Sequence, residues 1–332
     1  MRHLRFFLIA GLSAFFIANG FVHENRDRSR SIQVTAKPFI DFEREDAQRR
    51  AFGALQFRGG LELSSSDPGF GGISALRVQD DGENFLALSD RAHWLRGRIV
   101  YSGNRPTGLA DTVIAPVVGP DGTHEKRWDT ESIAIAGGRL YMGVEGFDRI
   151  PYFTHSVSGF PVYQNSIPFP PGLKDLPLNG GLEAMEFVPN NDAPGGILVA
   201  ISENGLDKDG NLTAYCINES VQKTFAVKRS GKYNISDAAL LAGKHLLILE
   251  RKYDAENGVS VRIRKISLDS IRQDALVDGP VVVEADMRYQ VDNMEAISVH
   301  RDSSGEAVLT LVSDDNFSAI QRTLLLQFAY RE

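Results

Sequence analysis

With Cys216 as the one cysteine in 332 residues, the chain can form no intrachain disulfide and lacks the grouped thiols of a redox or zinc motif. Cys216 sits in the apolar run LTAYCIN and reads as a small buried strand residue. Lysine and arginine together number 36 against 43 acids, and no basic stripe stands out, so no nucleic-acid partner is expected. Sustained helical periodicity is missing. So are H-E-x-x-H, the phosphate-cradling G-x-x-x-x-G-K-[ST] and a dinucleotide fingerprint. His23, His93, His124, His155, His245 and His300 include no close pair, which argues against a zinc site. Beyond the amino-terminal apolar segment, G-x-S-x-G is approached only by GGISAL, which lacks the final glycine and opens a strand, so a Ser-His-Asp hydrolase is disfavoured.

Long apolar runs are absent except at the start, MRHLRFFLIAGLSAFFIANGF. Arg2, His3 and Arg5 precede an apolar core from Phe6 to Ala18, and Ala18 and Gly20 supply small residues for cleavage. Residues 1–20 therefore read as a signal peptide rather than a membrane span. An exported protein without disulfides suits a bacterial periplasm or secretion, with no membrane span after cleavage. Residues 21–50 are charged and weakly patterned, a flexible leader with one candidate strand at Ile32–Phe39. Residues 51–332 are taken as one domain, expected to act as a monomer.

What is present is a repeat. A hydrophobic strand, a turn and a second strand ending on an acid recur five times, at intervals of 50-odd residues. The copies run from Gly71 to Ala92, Asp129 to Asp148, Asn179 to Gly205, Asn234 to Asp254 and Asp292 to Ser318. Repeated β-hairpins of this size predict an all-β fold, a single β-propeller. Four strands fit most units, but the fifth is one short. Leu55–Ser64 (LQFRGGLELS) is free to complete it, closing the ring by pairing the two ends of the chain. This gives five blades, or six if Ile32 to Ser64 hides a degenerate unit. Ile150 to Leu178, rich in proline and aromatics, reads as a long loop over one face.

Aligning the copies places Ser74, Glu131, Glu183, Asp237 and Glu295 at the start of the first strand. Asp90, Glu145, Glu203, Glu250 and Asp314 fall at the end of the second. In an antiparallel hairpin these positions are neighbours, so all ten gather at one mouth of the central channel. Nine are carboxylates, and their repulsion must be offset. Arg91, Arg251 and Arg322 are candidates for this, Arg322 by folding back onto Asp314-Asp315-Asn316. A hard cation such as Ca²⁺ is another, with Asn179, Asn204, Asn293 and Asn316 adding neutral oxygens. Acids repeated in every blade also serve architecture, by accepting hydrogen bonds from turn N–H groups.

The segments FLALSDR, DTESIAI, GLEAMEF, SDAALL, LLILER, DNMEAISV and LVSDDNFSAIQRTLLL resemble the phytase-like family of exported bacterial proteins, labelled "esterase-like activity of phytase". The resemblance covers Gly71 to Phe328 and implies a β-propeller with ester or phosphate-ester hydrolysis. Two departures stand out. Ser132, Ala184 and Ala296 occupy places where the family favours glycine after the acid, and SDRAHW replaces SDRG. His93 and Trp94 then lie beside the mouth, where they fill a loop.

The chemistry left standing is metal-assisted ester hydrolysis on a small anionic substrate. Ca²⁺ would be held by Glu131, Glu183, Glu203, Asp237 and Glu295. Arg91, Arg251 and Arg322 would clamp phosphate oxygens. Asp314 would act as general base, with Glu183 also in the reacting set. A Ca²⁺-dependent lactonase-like propeller is one alternative. The other is a non-catalytic envelope binding module, with the segment Pro151 to Pro177 gripping a ligand.

Overall fold

The computed structural model describes residues 29–154, 159–169, 181–190, 196–218 and 222–331. The expected signal peptide, the start of the leader, Asn179 and residues 170–178 lie outside the described residues. The fold is an all-β propeller of five blades. From the centre outward, the first blade is Ile73–Val78, Asn84–Ser89, His93–Ser102 and Arg105–Pro116, with Arg30–Ser31 at its rim. The second is Asp129–Ala136, Arg139–Glu145, Arg149–Thr154 and Val162–Pro168. Leu182–Val188, Ile197–Leu206, Leu212–Ile217 and Gln222–Val227 form the third, with Leu276–Val277 added in parallel at its edge. The fourth is Asn234–Leu241, His245–Asp254, Gly258–Ser267 and Val281–Ala285.

The last blade uses both ends of the chain. Asn293–Arg301, Ala307–Asp314 and Thr323–Tyr330 are completed by Leu55–Ser64, which pairs antiparallel to Thr323–Tyr330. Thr35–Phe39 then covers Leu55–Ser64, so this part of the expected leader is sheet. The first strand of each blade touches that of the next, and Asn293–Arg301 returns to Ile73–Val78. The ring is closed.

Strand side chains alternate between faces, and each blade is sandwiched between two neighbours, so both faces are apolar. This explains why AVLTLVSD (Ala307–Asp314) is buried along its whole length. Buried side chains form five hydrophobic clusters, one between each pair of adjacent blades. Trp94, 1% exposed, packs edge-on against Phe153 between the first two blades, so it fills the core rather than the mouth. Cys216 is buried between the third and fourth blades, where burial pushes its thiol up to about 11.

The loop expected at Ile150 to Leu178 is, in its described part, the outer half of the second blade. Arg149–Thr154 pairs with Arg139–Tyr141 only through Tyr152, Phe153 and Thr154. Pro151 lies beyond the end of that ladder, so its missing N–H breaks no bond to the inner side. Pro168 ends its strand at the blade's outer edge.

Candidate active site at the channel mouth

The inner hairpin of every blade carries a register shift at the same place. One residue of each first strand is left unpaired: Ser74, Glu131, Glu183, Ser236 and Glu295. A bulge of this kind re-aims the side chain it carries. Three of the five are glutamates. On the second strand the ring is completed by the residue that follows the partner of the position just before the bulge, and these residues are Asp90, Glu145, Glu203, Arg251 and Asp314.

This corrects the fourth repeat by one residue in each strand. Asp237 pairs with Leu249, one place inside the bulge, and does not join the mouth. Its carboxylate accepts from Arg77 Nη1 at 3.0 Å and from the N–H groups of Ala238 and Ile297 at 2.7 and 2.9 Å. Arg77 is drawn to Glu186 as well, and it donates to the carbonyls of Leu76 and Met185. The inner strands of several blades are thereby tied to one guanidinium within the channel.

Glu250 pairs with Ile235 and takes the place that Ser89, Ser202 and Ser313 hold elsewhere. Those serines fasten turns, as where Ser313 Oγ accepts from Leu324 N–H at 2.8 Å. Glu250 is fully buried, and its oxygens take Arg262 Nε at 2.6 Å and Arg264 Nη2 at 2.7 Å. It is an internal clamp of its blade.

Seven carboxylates thus meet one arginine at the mouth. Asp129, a residue the repeat alignment passes over, joins Glu131 and Glu145 in a triad whose oxygens lie within 4.8 Å of one another. Arg251 Nε donates to Glu295 Oε2 at 3.0 Å, and its Nη2 reaches Glu203 Oε1 at 3.4 Å. Glu295 Oε1 also accepts from Asn293 Nδ2 at 2.8 Å, and Asp314 Oδ1 from Asn316 N–H at 2.6 Å. Asp90 Oδ1 is buried with no hydrogen-bond partner among the described residues.

The electrostatics follow from burial first and crowding second. Burial, Asp314 and Asp129 push Asp90 up to about 7. Burial raises Glu295 to about 7 even with Arg251 opposing, and raises Asp314 to about 6 against the Asn316 N–H. Glu131 and Glu183 are pushed well above the usual carboxylate range, by burial and then by each other's neighbours: Asp129 and Glu295 for the first, Glu131 and Glu203 for the second. Glu145 rises through burial and Asp129. One guanidinium does not offset this charge. The donors are all hard oxygens, with no histidine or thiol among them, so they fit Ca²⁺ or Mg²⁺ and not zinc. The unpartnered Asp90 oxygen fits the same requirement.

The three arginines expected as clamps go to different places. Arg251 is inside the ring. Arg91 is exposed and lies over the Phe317 ring, 3.5 Å from its centroid. Arg322 does not fold back onto Asp314, because it is held by Gln290 Oε1 at 3.2 Å, the Val291 carbonyl at 3.3 Å and Asp292. Trp128 and Phe147 pack at 5.5 Å beside the triad, each within two residues of a triad acid.

The phytase-like family, described as "Esterase-like activity of phytase", matches the chain over residues 68–317. No curated protein matches the sequence. Among solved structures, a glutaminyl cyclase from Myxococcus xanthus aligns with a TM-score of 0.42 and 10% identity, covering 79% of this chain and 92% of that one. U3-55K aligns at TM-score 0.40 and 10% identity, over 83% of this chain and 99% of that one. The PQQ-bound aldose sugar dehydrogenase of Streptomyces coelicolor aligns at 0.39 and 13% identity, over 90% and 100%.

Proposed function

Since the chain belongs to the phytase-like family, we propose that it hydrolyses an ester, a phosphate ester before a carboxylic one, at the acidic mouth of its channel. The observation that carries this reading is the triad of Asp129, Glu131 and Glu145 within 4.8 Å, set beside buried acids that one arginine leaves uncompensated. When bound there, a hard divalent cation such as Ca²⁺ supplies charge neutralisation and polarises the bond to be cut. Asp129, Glu131 and Glu145 would hold it, with Glu183 behind them.

The chain's own residues do the rest. Arg251 fixes Glu203 and Glu295 in place. Asp314 and Asp90, at about 6 and about 7, supply a proton acceptor and a proton donor near neutral pH. In hydrolysis, Asp314 takes a proton from the attacking water as the ester bond breaks. Asp90 returns one to the departing oxygen. The amino-terminal segment read as a signal peptide puts this chemistry outside the cytoplasm.

The test is phosphate release from inositol hexakisphosphate and 4-nitrophenyl phosphate, and acid release from 4-nitrophenyl butyrate, with Ca²⁺ and with chelator. Turnover that needs Ca²⁺ and disappears in Glu131→Gln supports the reading. Absence of turnover on all three, with Ca²⁺ still bound, would leave a binding module.

A further inference from the structure

Arg91 differs from every other arginine near the mouth. Its side chain makes no hydrogen bond or ion pair among the described residues, although Asp90 precedes it and Asp314 and Asp315 are close by in the same face. Arg251, Arg77 and Arg322 are all committed to protein groups. Arg91 instead lies over Phe317, its guanidinium carbon 3.5 Å from the ring centroid. Stacking occupies the face of a guanidinium and leaves the N–H groups around its edge available.

The backbone on both sides is arranged for this contact. Ala92 next to Arg91 has φ 53°, and Asn316 and Phe317 have φ 49° and 50°. A bulky aromatic in the left-handed region is held there only by its surroundings. Asp315 supplies them: its Oδ1 accepts from the N–H groups of Phe317 and Gly72 at 3.0 and 2.9 Å, and its Oδ2 from Thr323 Oγ1 at 3.0 Å. Gly72, at φ 60°, leaves room for the ring, since a Cβ there would stand 2.3 Å from Phe317 and 2.4 Å from Asp90 Oδ1.

We propose that Arg91, preset on Phe317, is the anion-reading residue of the mouth, and takes a second phosphate or carboxylate of the substrate, away from the bond that is cut. This deepens the ester-hydrolase reading and rests on it. Arg91 acts on Asp90 only through its charge, and a cation with no hydrogen-bonded carboxylate of its own stays available to a ligand. The substrate class is then an ester that carries another anionic group.

The probe is inorganic phosphate, titrated calorimetrically into wild type, Arg91→Gln, Arg91→Lys and Phe317→Leu, with Ca²⁺ and with chelator, after thermal melts confirm folding. Arg91→Gln should weaken phosphate binding about tenfold to a hundredfold, the worth of a charge-assisted hydrogen-bonded pair. Arg91→Lys and Phe317→Leu should fall between it and wild type. In kinetics, Arg91→Gln should raise KM for inositol hexakisphosphate and leave KM for phenyl phosphate unchanged. Equal phosphate affinity in wild type and Arg91→Gln overturns the proposal, as does absence of phosphate binding by wild type in both conditions. If no ester is cut, the hydrolase reading fails by itself, and the phosphate series still decides the role of Arg91.

Discussion

Arg251 Nε stands 3.0 Å from Glu295 Oε2, joining the fourth blade to the fifth at the one ring position where an acid gives way to a cation. Its side chain is 27% exposed, and Glu295 is 10% exposed. Removing one partner of so enclosed a pair leaves the other charge uncompensated. Arg251→Gln should therefore lose about 3 kcal/mol of stability at pH 8. It should lose less at pH 6, where Glu295 can take up a proton. Urea unfolding at the two pH values checks this, and an equal loss at both would contradict it.

Stability of the cation-free protein should fall as pH rises. Glu295 and Asp90 are raised to about 7 and Asp314 to about 6, so the folded state holds protons that the unfolded chain has released. Where the folded state binds more protons, rising pH favours unfolding. The stabilisation is complete below about pH 4 and disappears as pH climbs through 6 to 7. For Glu295 alone the change is on the order of 3 kcal/mol. Thermal melts in chelator from pH 4.5 to 8 should show the decline, and Ca²⁺ should flatten it.

Glu131→Gln should move stability in opposite directions with and without cation. In chelator, relief of repulsion within the triad should stabilise the fold by ~1 kcal/mol. With Ca²⁺ the variant should melt below wild type, because loss of one charged ligand weakens binding by about tenfold or more. Paired melts and calorimetry measure both signs. A variant less stable than wild type in both conditions would speak against a cation site.

Asp237→Asn separates the channel anchor from the mouth. Arg77 would be left buried beside a neutral partner, which should cost about 3–5 kcal/mol. Ca²⁺ affinity of the folded variant should stay that of wild type. A tenfold loss of Ca²⁺ affinity with unchanged stability would return Asp237 to the ligand set.

Much of this architecture is legible in the chain because a propeller writes its period into sequence. Five hairpins, the missing strand of the last blade and its replacement by Leu55–Ser64 all follow from apolar runs and turns. The acids of the second, third and fifth repeats also land where alignment puts them. The fourth repeat does not. Its Asp237 and Glu250 look like the other acids, yet the bulge falls at Ser236, and a shift of one residue turns a strand's side chains to the opposite face. No letter marks a bulge. Asp129 escaped for the opposite reason, since the matching positions are Gly72, Gly181, Asn234 and Asn293, and only a departure from the repeat would have revealed it. The outer strands of the second blade were hidden by Pro151, which is harmless there because the inner ladder has already ended.

The pairing of Leu55–Ser64 with Thr323–Tyr330 sets an order of events for synthesis. An emerging polypeptide cannot complete its last blade until residue 330 has been made, however early its first strands appear. Glu295 and Asp314 arrive late as well. The hairpin of the second blade brings Asp129, Glu131 and Glu145 together by itself, but Glu295 reaches Glu131 and Glu183, and Asp314 reaches Asp90, only across blades. The mouth is therefore completed, and its charge strain reaches its full size, only when the circle shuts.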